Sequence, residues 1–199
     1  MPGEIDENLR AELLAMRQAD ETTRERLAKT GALFDGYNRE MEAVHIKNAR
    51  RLEEMTDARG GWLGASQVGA DGAEAAWLIA QHAISLPELS RKVLKLLKEA
   101  EKTDEVPRWQ AAYLEDRIAF FENRPQRYGT QSDWNENGKM EVWTLENEEK
   151  VDDYRRAVGL KPLAAKIWSS TETEENAPQN WHERRRGFEQ WARAVGWRE

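Results

Sequence analysis

Apolar residues recur at helical spacing through most of this chain. From about Ile5 to Lys29 they fall three or four positions apart among many charged residues, as in the buried stripe of an amphipathic helix. The same spacing predicts further helices at about residues 39–57, 72–84, 85–100, 107–120, 147–159 and 181–195. The segment 72–84 is apolar nearly all the way round, which predicts the most buried of these helices.

Two capping patterns mark expected helix starts. Asp71 lies three residues before Glu74, and Ser85 lies three residues before Glu88. This spacing is typical of a capping box, in which the first side chain accepts a hydrogen bond from the start of the helix. We therefore expect helices to begin at Asp71 and at Ser85.

Helical spacing stops between Pro125 and Asn147. Asn137-Gly138 separates Trp134 from a run of alternating apolar residues, a pattern typical of a tight β-hairpin, here near residues 131–145. The expected fold class is mainly α: a helical bundle-like single domain over residues 1–168 with a small β-hairpin insertion. Residues 169–199 are expected to form an acidic linker and a Trp-rich amphipathic C-terminal helix.

Polar residues interrupt the apolar stripe of three predicted helices. These residues are His45 and Asn48, Gln81 and His82, and Asp116 and Arg117. Burying a polar group is costly unless the group has a hydrogen-bond partner, so we expect these side chains to partner one another. Such a convergence inside one small domain would form a site.

His82 is the leading candidate for an acid or base, because imidazole titrates near neutrality. Asp116 could orient the imidazole, as the carboxylate of a catalytic triad does. Two structural alternatives remain open. His82 could be a core histidine bonded to a backbone carbonyl, and Asp116 could form a buried ion pair with Arg117 or Arg127.

The loop from Arg127 to Gln131 is the best candidate for contact with a substrate. It offers an arginine for an anion and two further polar side chains, and the alternative is a turn that anchors the hairpin. His45 and Asn48, one helical turn apart, could bind a substrate or tie two helices together. The predicted substrate-binding residues are His45, Asn48, Gln81, Arg117, Arg127, Tyr128 and Gln131.

Composition narrows the possible partners and location. The formal net charge of −7 leaves no basic surface for nucleic acid. The chain has no cysteine, which excludes disulfides, thiolate nucleophiles and sulfur-ligated metals. No stretch approaches the roughly 20 apolar residues that span a bilayer, and no secretion signal is visible. We expect a cytoplasmic protein that binds a small molecule, with a homodimer possible through its amphipathic terminal helices.

The expected function is metal-independent acid–base catalysis on a small, anionic molecule by a lyase, isomerase, cyclase or hydrolase. The chain has no glycine-rich phosphate loop and no paired zinc motif, so no cofactor and no metal is expected. A facial triad of two histidines and one carboxylate remains open. The alternative is a non-catalytic ligand-binding or protein-interaction module, in which the polar cluster only specifies packing.

Four sequence runs resemble an uncharacterised bacterial family known as a domain of unknown function. The runs are WLIAQHA (77–83), AAYLEDR (111–117), PQRYGTQ (125–131) and VDDYRRAVGLKPL (151–163). The run at 33–52 is similar to one branch of that family, and the resemblance spans roughly residues 9 to 165. It implies a bacterial origin and a single domain, and it carries no catalytic residue to this chain. Many members have an acidic residue shortly after Gln-His-Ala, where this chain has Ile84-Ser85.

Overall fold

Seven α-helices and one β-hairpin form the parts of the chain that the computed structural model describes, which are residues 4–34, 37–163 and 180–199. The helices are α1 (Glu7–Lys29), α2 (Arg39–Arg59), α3 (Ala65–His82), α4 (Pro87–Ala100), α5 (Arg108–Phe121), α6 (Val151–Ala157) and α7 (Trp181–Ala194). The strands are β1 (Ser132–Trp134) and β2 (Met140–Val142). The predicted mainly helical fold with a small hairpin is confirmed. No helix in the described ranges is long and apolar enough to cross a membrane.

The chain divides into two compact units. Unit 1 runs to Pro107, and unit 2 begins at Arg108. The predicted boundary near residue 168 and the predicted acidic linker at 171–178 both lie outside the described residues. The C-terminal helix that was predicted beyond the linker is α7.

The core of unit 1 lies between α1, α2 and α3, which pack on one another. Leu13 of α1 and Leu52 of α2 are fully buried, and Ile79 of α3 is nearly so. Much of the buried face of α3 consists of alanine and glycine, which allow close approach of the neighbouring helices. This agrees with the expectation that the apolar segment 72–84 is strongly buried.

A glycine interrupts α3 near its start. The helix begins at Ala65, six residues before the expected start at Asp71, and it is broken at Gly69, where φ is +72° and ψ is 165°. After the break, Asp71 accepts a hydrogen bond from the backbone N–H of Gly72 (2.9 Å). The carboxylate of Asp71 also accepts two bonds from Arg10 (2.9 and 2.8 Å), so the break is tied to α1.

The predicted cap at the start of α4 is wrong. The helix begins at Pro87 with Leu86 as its N-cap residue, and no side chain caps it. A cap at Ser85 would need helical backbone at Leu86, which a following proline disfavours. The φ and ψ of Leu86 are −127° and 74°. The Ser85 hydroxyl instead donates to Glu42 on α2 (2.5 Å).

Unit 2 combines the hairpin with an aromatic cluster. Strand β1 pairs antiparallel with β2, so that Ser132 faces Val142 and Trp134 faces Met140. Residues 135–139 connect the strands, and Gly138 takes a φ of +72°, so the connection is longer than a two-residue turn. Elsewhere in the unit, the ring of Phe121 contacts three aromatic side chains near the C-terminus of the chain: Phe188, Trp191 and Trp197.

Replacing Gly69 by alanine is expected to destabilise unit 1. The backbone conformation is one that only glycine adopts easily, and a Cβ atom would lie 3.2 Å from Asp71 Oδ1. We expect Gly69→Ala to lower the free energy of unfolding by about 1–3 kcal/mol, measured by urea denaturation. Gly61→Ala is the matched control, because its Cβ would meet nothing within 4 Å. Equal stability of the two variants would contradict this account of the break.

Candidate functional site

Three helices of unit 1 bring two histidines to one buried carboxylate. Asp20 lies on α1, His45 on α2 and His82 at the end of α3. Asp20 Oδ2 is 2.7 Å from His82 Nδ1 and 3.1 Å from His45 Nε2. The two imidazole centroids are 4.8 Å apart. We call these three residues the His–Asp cluster.

Asp20 and His45 are buried, whereas His82 reaches the surface. Asp20 is 2% exposed, and the His82 side chain is 24% exposed. Asp20 belongs to the buried stripe of α1 that includes Leu13, Met16 and Leu27. The cluster therefore has a buried anion at its centre and one imidazole at its solvent edge.

The ionisation of Asp20 is set by opposing effects. Burial acts to raise the pKa of Asp20, but the two imidazoles beside it act together in the opposite direction and more strongly. The pKa of Asp20 therefore lies well below its ordinary value, and the carboxylate is charged at neutral pH.

A tyrosine hydroxyl lies beside the second histidine of the cluster. The Tyr37 hydroxyl is 2.7 Å from His45 Nδ1. Burial raises the pKa of Tyr37, so this hydroxyl stays protonated. His45 therefore has one ring nitrogen at Tyr37 and the other beside Asp20.

Two polar atoms of the His–Asp cluster are buried without a hydrogen bond. Asp20 Oδ1 has no hydrogen-bond partner among the described residues. His45 Nε2 lies close to Asp20 Oδ2, but its ring N–H would not be aligned for a hydrogen bond to any described residue. Buried polar atoms in native proteins nearly always have a partner, so these two atoms require an explanation.

The other polar residues predicted from unit 1 lie near the same helices. Asn48 is buried and donates to the backbone carbonyl of Met16 (2.9 Å), which ties α2 to α1. Gln81 is buried on α3 immediately before His82. A substrate-binding role for either side chain stays a prediction.

Asp116 lies in unit 2, where it organises the loop after α5. Its side chain is fully buried and accepts bonds from the backbone N–H groups of Arg127 (2.8 Å), Tyr128 (3.1 Å to each oxygen) and Thr130 (2.9 Å). Burial raises the pKa of Asp116, and the backbone donors act against that rise. Both of its oxygens thus accept hydrogen bonds from the loop that was predicted to bind the substrate.

The side chains of that loop also make contacts within unit 2. The Arg127 guanidinium donates twice to Glu146 (2.9 and 3.1 Å), and Gln131 Nε2 donates to the Thr130 hydroxyl (3.0 Å). The Tyr128 carbonyl accepts a bond from Arg155 (2.5 Å). These contacts give the loop a structural role, and substrate binding by Arg127, Tyr128 and Gln131 stays a prediction.

Arg117, the remaining predicted site residue, is on α5 next to Asp116. Desolvation by burial lowers its pKa to about 10. The guanidinium is therefore still charged at neutral pH. Its proposed contact with a substrate stays a prediction.

Sequence reasoning missed two residues of the site: Asp20 and Tyr37. A signal for Asp20 was present, since it falls four residues after Met16 and seven before Leu27 on the apolar stripe of α1. The signal was hidden by the many charged residues of that helix. Tyr37 lies before α2, outside any periodic segment, and nothing in its local sequence indicates its contact with His45.

The chain belongs to a family of unknown function, DUF6624, whose model matches residues 7–173. This match confirms the family resemblance drawn from the four sequence runs. No curated protein and no solved structure matches the chain. The family description assigns no activity, so the chemistry of the site has to be argued from its geometry.

Replacing Asp116 by asparagine is expected to destabilise unit 2. The amide nitrogen of asparagine cannot accept a hydrogen bond, so at least one buried backbone N–H of the loop loses its partner. We expect Asp116→Asn to lower the free energy of unfolding by about 1–3 kcal/mol, measured by urea denaturation.

The matched control for that variant is Asp153→Asn on α6. Asp153 forms an exposed pair with Arg156, and such pairs contribute at most about 1 kcal/mol. Equal losses in the two variants would show that Asp116 does not hold the loop.

Proposed function

We propose that this protein is an acid–base enzyme that acts on a small molecule at the His–Asp cluster. The observation that supports this proposal is the 2.7 Å contact between the buried, ionised Asp20 and Nδ1 of the partly exposed His82. A carboxylate in this position orients an imidazole and stabilises the positive charge that forms when the ring takes up a proton. The reaction classes that such a pair serves include those of lyases, isomerases, cyclases and hydrolases.

Each member of the pair has a distinct proposed role. With Nδ1 directed at Asp20, the His82 ring exchanges a proton with the substrate through Nε2. His82 lies at the solvent edge of the cluster, so a small molecule can approach it, whereas Asp20 is too deeply buried to touch one. Asp20 therefore acts as a positioning residue.

In this proposal Asp20 has the orienting role that was predicted for Asp116. Asp20 contacts the imidazole directly, whereas both oxygens of Asp116 accept backbone N–H groups in unit 2. His45 lies on the other side of the Asp20 carboxylate and is itself held by Tyr37. Those contacts fix the position of the carboxylate relative to His82.

The proposed substrate is a small molecule, and we keep the sequence-based prediction that it is anionic as part of the proposal. A screening panel should contain carboxylates and phosphate esters beside neutral esters and amides. Turnover of the neutral members alone would remove the anionic requirement and leave the acid–base proposal in place.

Variants of the His–Asp cluster test the proposal. On any substrate that the wild-type protein turns over, His82→Gln should lower kcat by about 100-fold to 10,000-fold, because general acid–base catalysis contributes that much. Asp20→Asn should also lower kcat, with KM changed little. The control is His182→Gln, since His182 is an exposed residue of α7.

Circular dichroism and thermal unfolding should accompany each assay, so that loss of activity is separated from loss of fold. A folded His82→Gln variant with kcat within about threefold of wild type would contradict the proposal, since that change is far below what acid–base catalysis contributes. Absence of turnover throughout the panel, with cluster variants that lose only stability, would favour the packing role instead.

A further inference from the structure

We infer that the His–Asp cluster binds a divalent transition-metal ion through His45 Nε2, His82 Nδ1 and the carboxylate of Asp20. The reaction that the ion would serve is the one in the proposed function, and in this respect the inference rests on that proposal. Binding of the ion is a separate claim with its own measurement. A facial triad of two histidines and one carboxylate was left open in the sequence, without a named carboxylate. In this inference the carboxylate is that of Asp20.

The distances between the candidate ligand atoms suit one ion. One ligand atom from each residue can be chosen so that all three lie within 4.8 Å of one another. Metal–ligand bonds of about 2.0–2.2 Å place the donors of a tetrahedral ion about 3.3–3.6 Å apart. The observed separations of 2.7 and 3.1 Å from Asp20 Oδ2 are shorter than that. Small movements of the side chains would therefore open the space for an ion.

The surroundings of His45 suit coordination through Nε2. The other ring nitrogen, Nδ1, is 2.7 Å from the Tyr37 hydroxyl, whose oxygen can accept the ring proton. A metal-ligating histidine commonly donates its other ring N–H to an oxygen in this way. Coordination through Nε2 therefore requires the ring proton of His45 to be on Nδ1.

Two buried atoms of the cluster are left without a hydrogen bond, and both belong to candidate ligands. His45 Nε2 lies 3.1 Å from Asp20 Oδ2 without an aligned hydrogen bond, and Asp20 Oδ1 has no hydrogen-bond partner among the described residues. An ion bound by the imidazole and the carboxylate would coordinate both residues through these atoms. The two unsatisfied atoms thus point to a cation.

The donor set indicates the class of ion. Two imidazole nitrogens and a carboxylate, without sulfur, suit Zn²⁺, Fe²⁺, Mn²⁺ or Co²⁺. Three protein ligands leave at least one coordination position for water, as in catalytic rather than structural sites. His82 places that position near the solvent edge of the cluster. Water bound to the ion would then carry out the proton transfer that the proposed function assigns to the His82 ring.

Metal titration of the full chain tests the inference. The protein, stripped with a chelator and dialysed, is titrated with Zn²⁺ by calorimetry and with Co²⁺ by visible absorption. We expect one ion per chain and a Co²⁺ spectrum of low-symmetry, nitrogen- and oxygen-ligated type. Asp20→Asn and His45→Gln should each weaken Zn²⁺ binding by at least about 100-fold, and His182→Gln should leave it unchanged.

Tyr37→Phe is the variant that keeps the inference testable if the ligand variants fail to fold. It removes only the hydroxyl that lies 2.7 Å from His45 Nδ1, so the fold should be retained while Zn²⁺ binds about 10-fold to 100-fold more weakly. No stoichiometric binding by the wild-type protein, or equal affinity in wild type, Asp20→Asn and Tyr37→Phe, would overturn the inference.

The same experiments separate the inference from the proposed function. Turnover that persists after chelation, in a protein that binds no ion, would overturn the metal site and leave acid–base catalysis by His82 in place. Stoichiometric binding that depends on Asp20, in a protein that turns over none of the panel, would support the metal site and count against the enzyme. Turnover that is lost on chelation and restored by Zn²⁺ would support both.

Discussion

The buried charge of Asp20 is the constraint on which the arrangement of unit 1 depends. A carboxylate removed from water is tolerated only where cations or hydrogen-bond donors replace the lost hydration. Here the replacement comes from two other helices, since α2 supplies His45 and α3 supplies His82. The position of one side chain on α1 therefore fixes where the neighbouring helices must place their imidazoles.

Other contacts hold α1, α2 and α3 in the arrangement that places both imidazoles beside Asp20. Asn48 bonds to the backbone of α1 one helical turn before Asp20, and Arg10 of α1 holds Asp71 just after the break in α3. The break at Gly69 allows the first residues of α3 to follow a different direction from the segment that ends at His82. Local backbone geometry, helix pairing and the chemistry of the cluster thus depend on one another.

The sequence predicted the elements far better than it predicted the partners of each side chain. Apart from the start of α3, the predicted helices lie within a few residues of their observed bounds, because burial of one face dominates their stability. His45, His82 and Asp116 were all expected to be buried or partly buried, and they are. The carboxylate beside His82, however, comes from 62 residues earlier in the chain. Spacing along one helix cannot reveal a partner on another.

Two local signals indicated the wrong role for their residue. Ser85 fits a capping box by spacing, but Pro87 moves the helix start and frees the hydroxyl for Glu42. Asp116 has the helix position of an inward-facing site residue, but its partners are backbone N–H groups of a loop that has no periodicity of its own. In both cases the residue type was informative, whereas its role depended on tertiary contacts.

The most direct test of the central claim is the protonation state of the histidine rings, measured by long-range ¹H–¹⁵N correlation NMR with and without Zn²⁺. The chain has three histidines, so the spectrum can be assigned with single variants. The account predicts that His45 carries its proton on Nδ1, and that Zn²⁺ shifts His45 Nε2 and His82 Nδ1 but not the ring of His182. A His45 ring protonated on Nε2, unchanged by Zn²⁺, would contradict it.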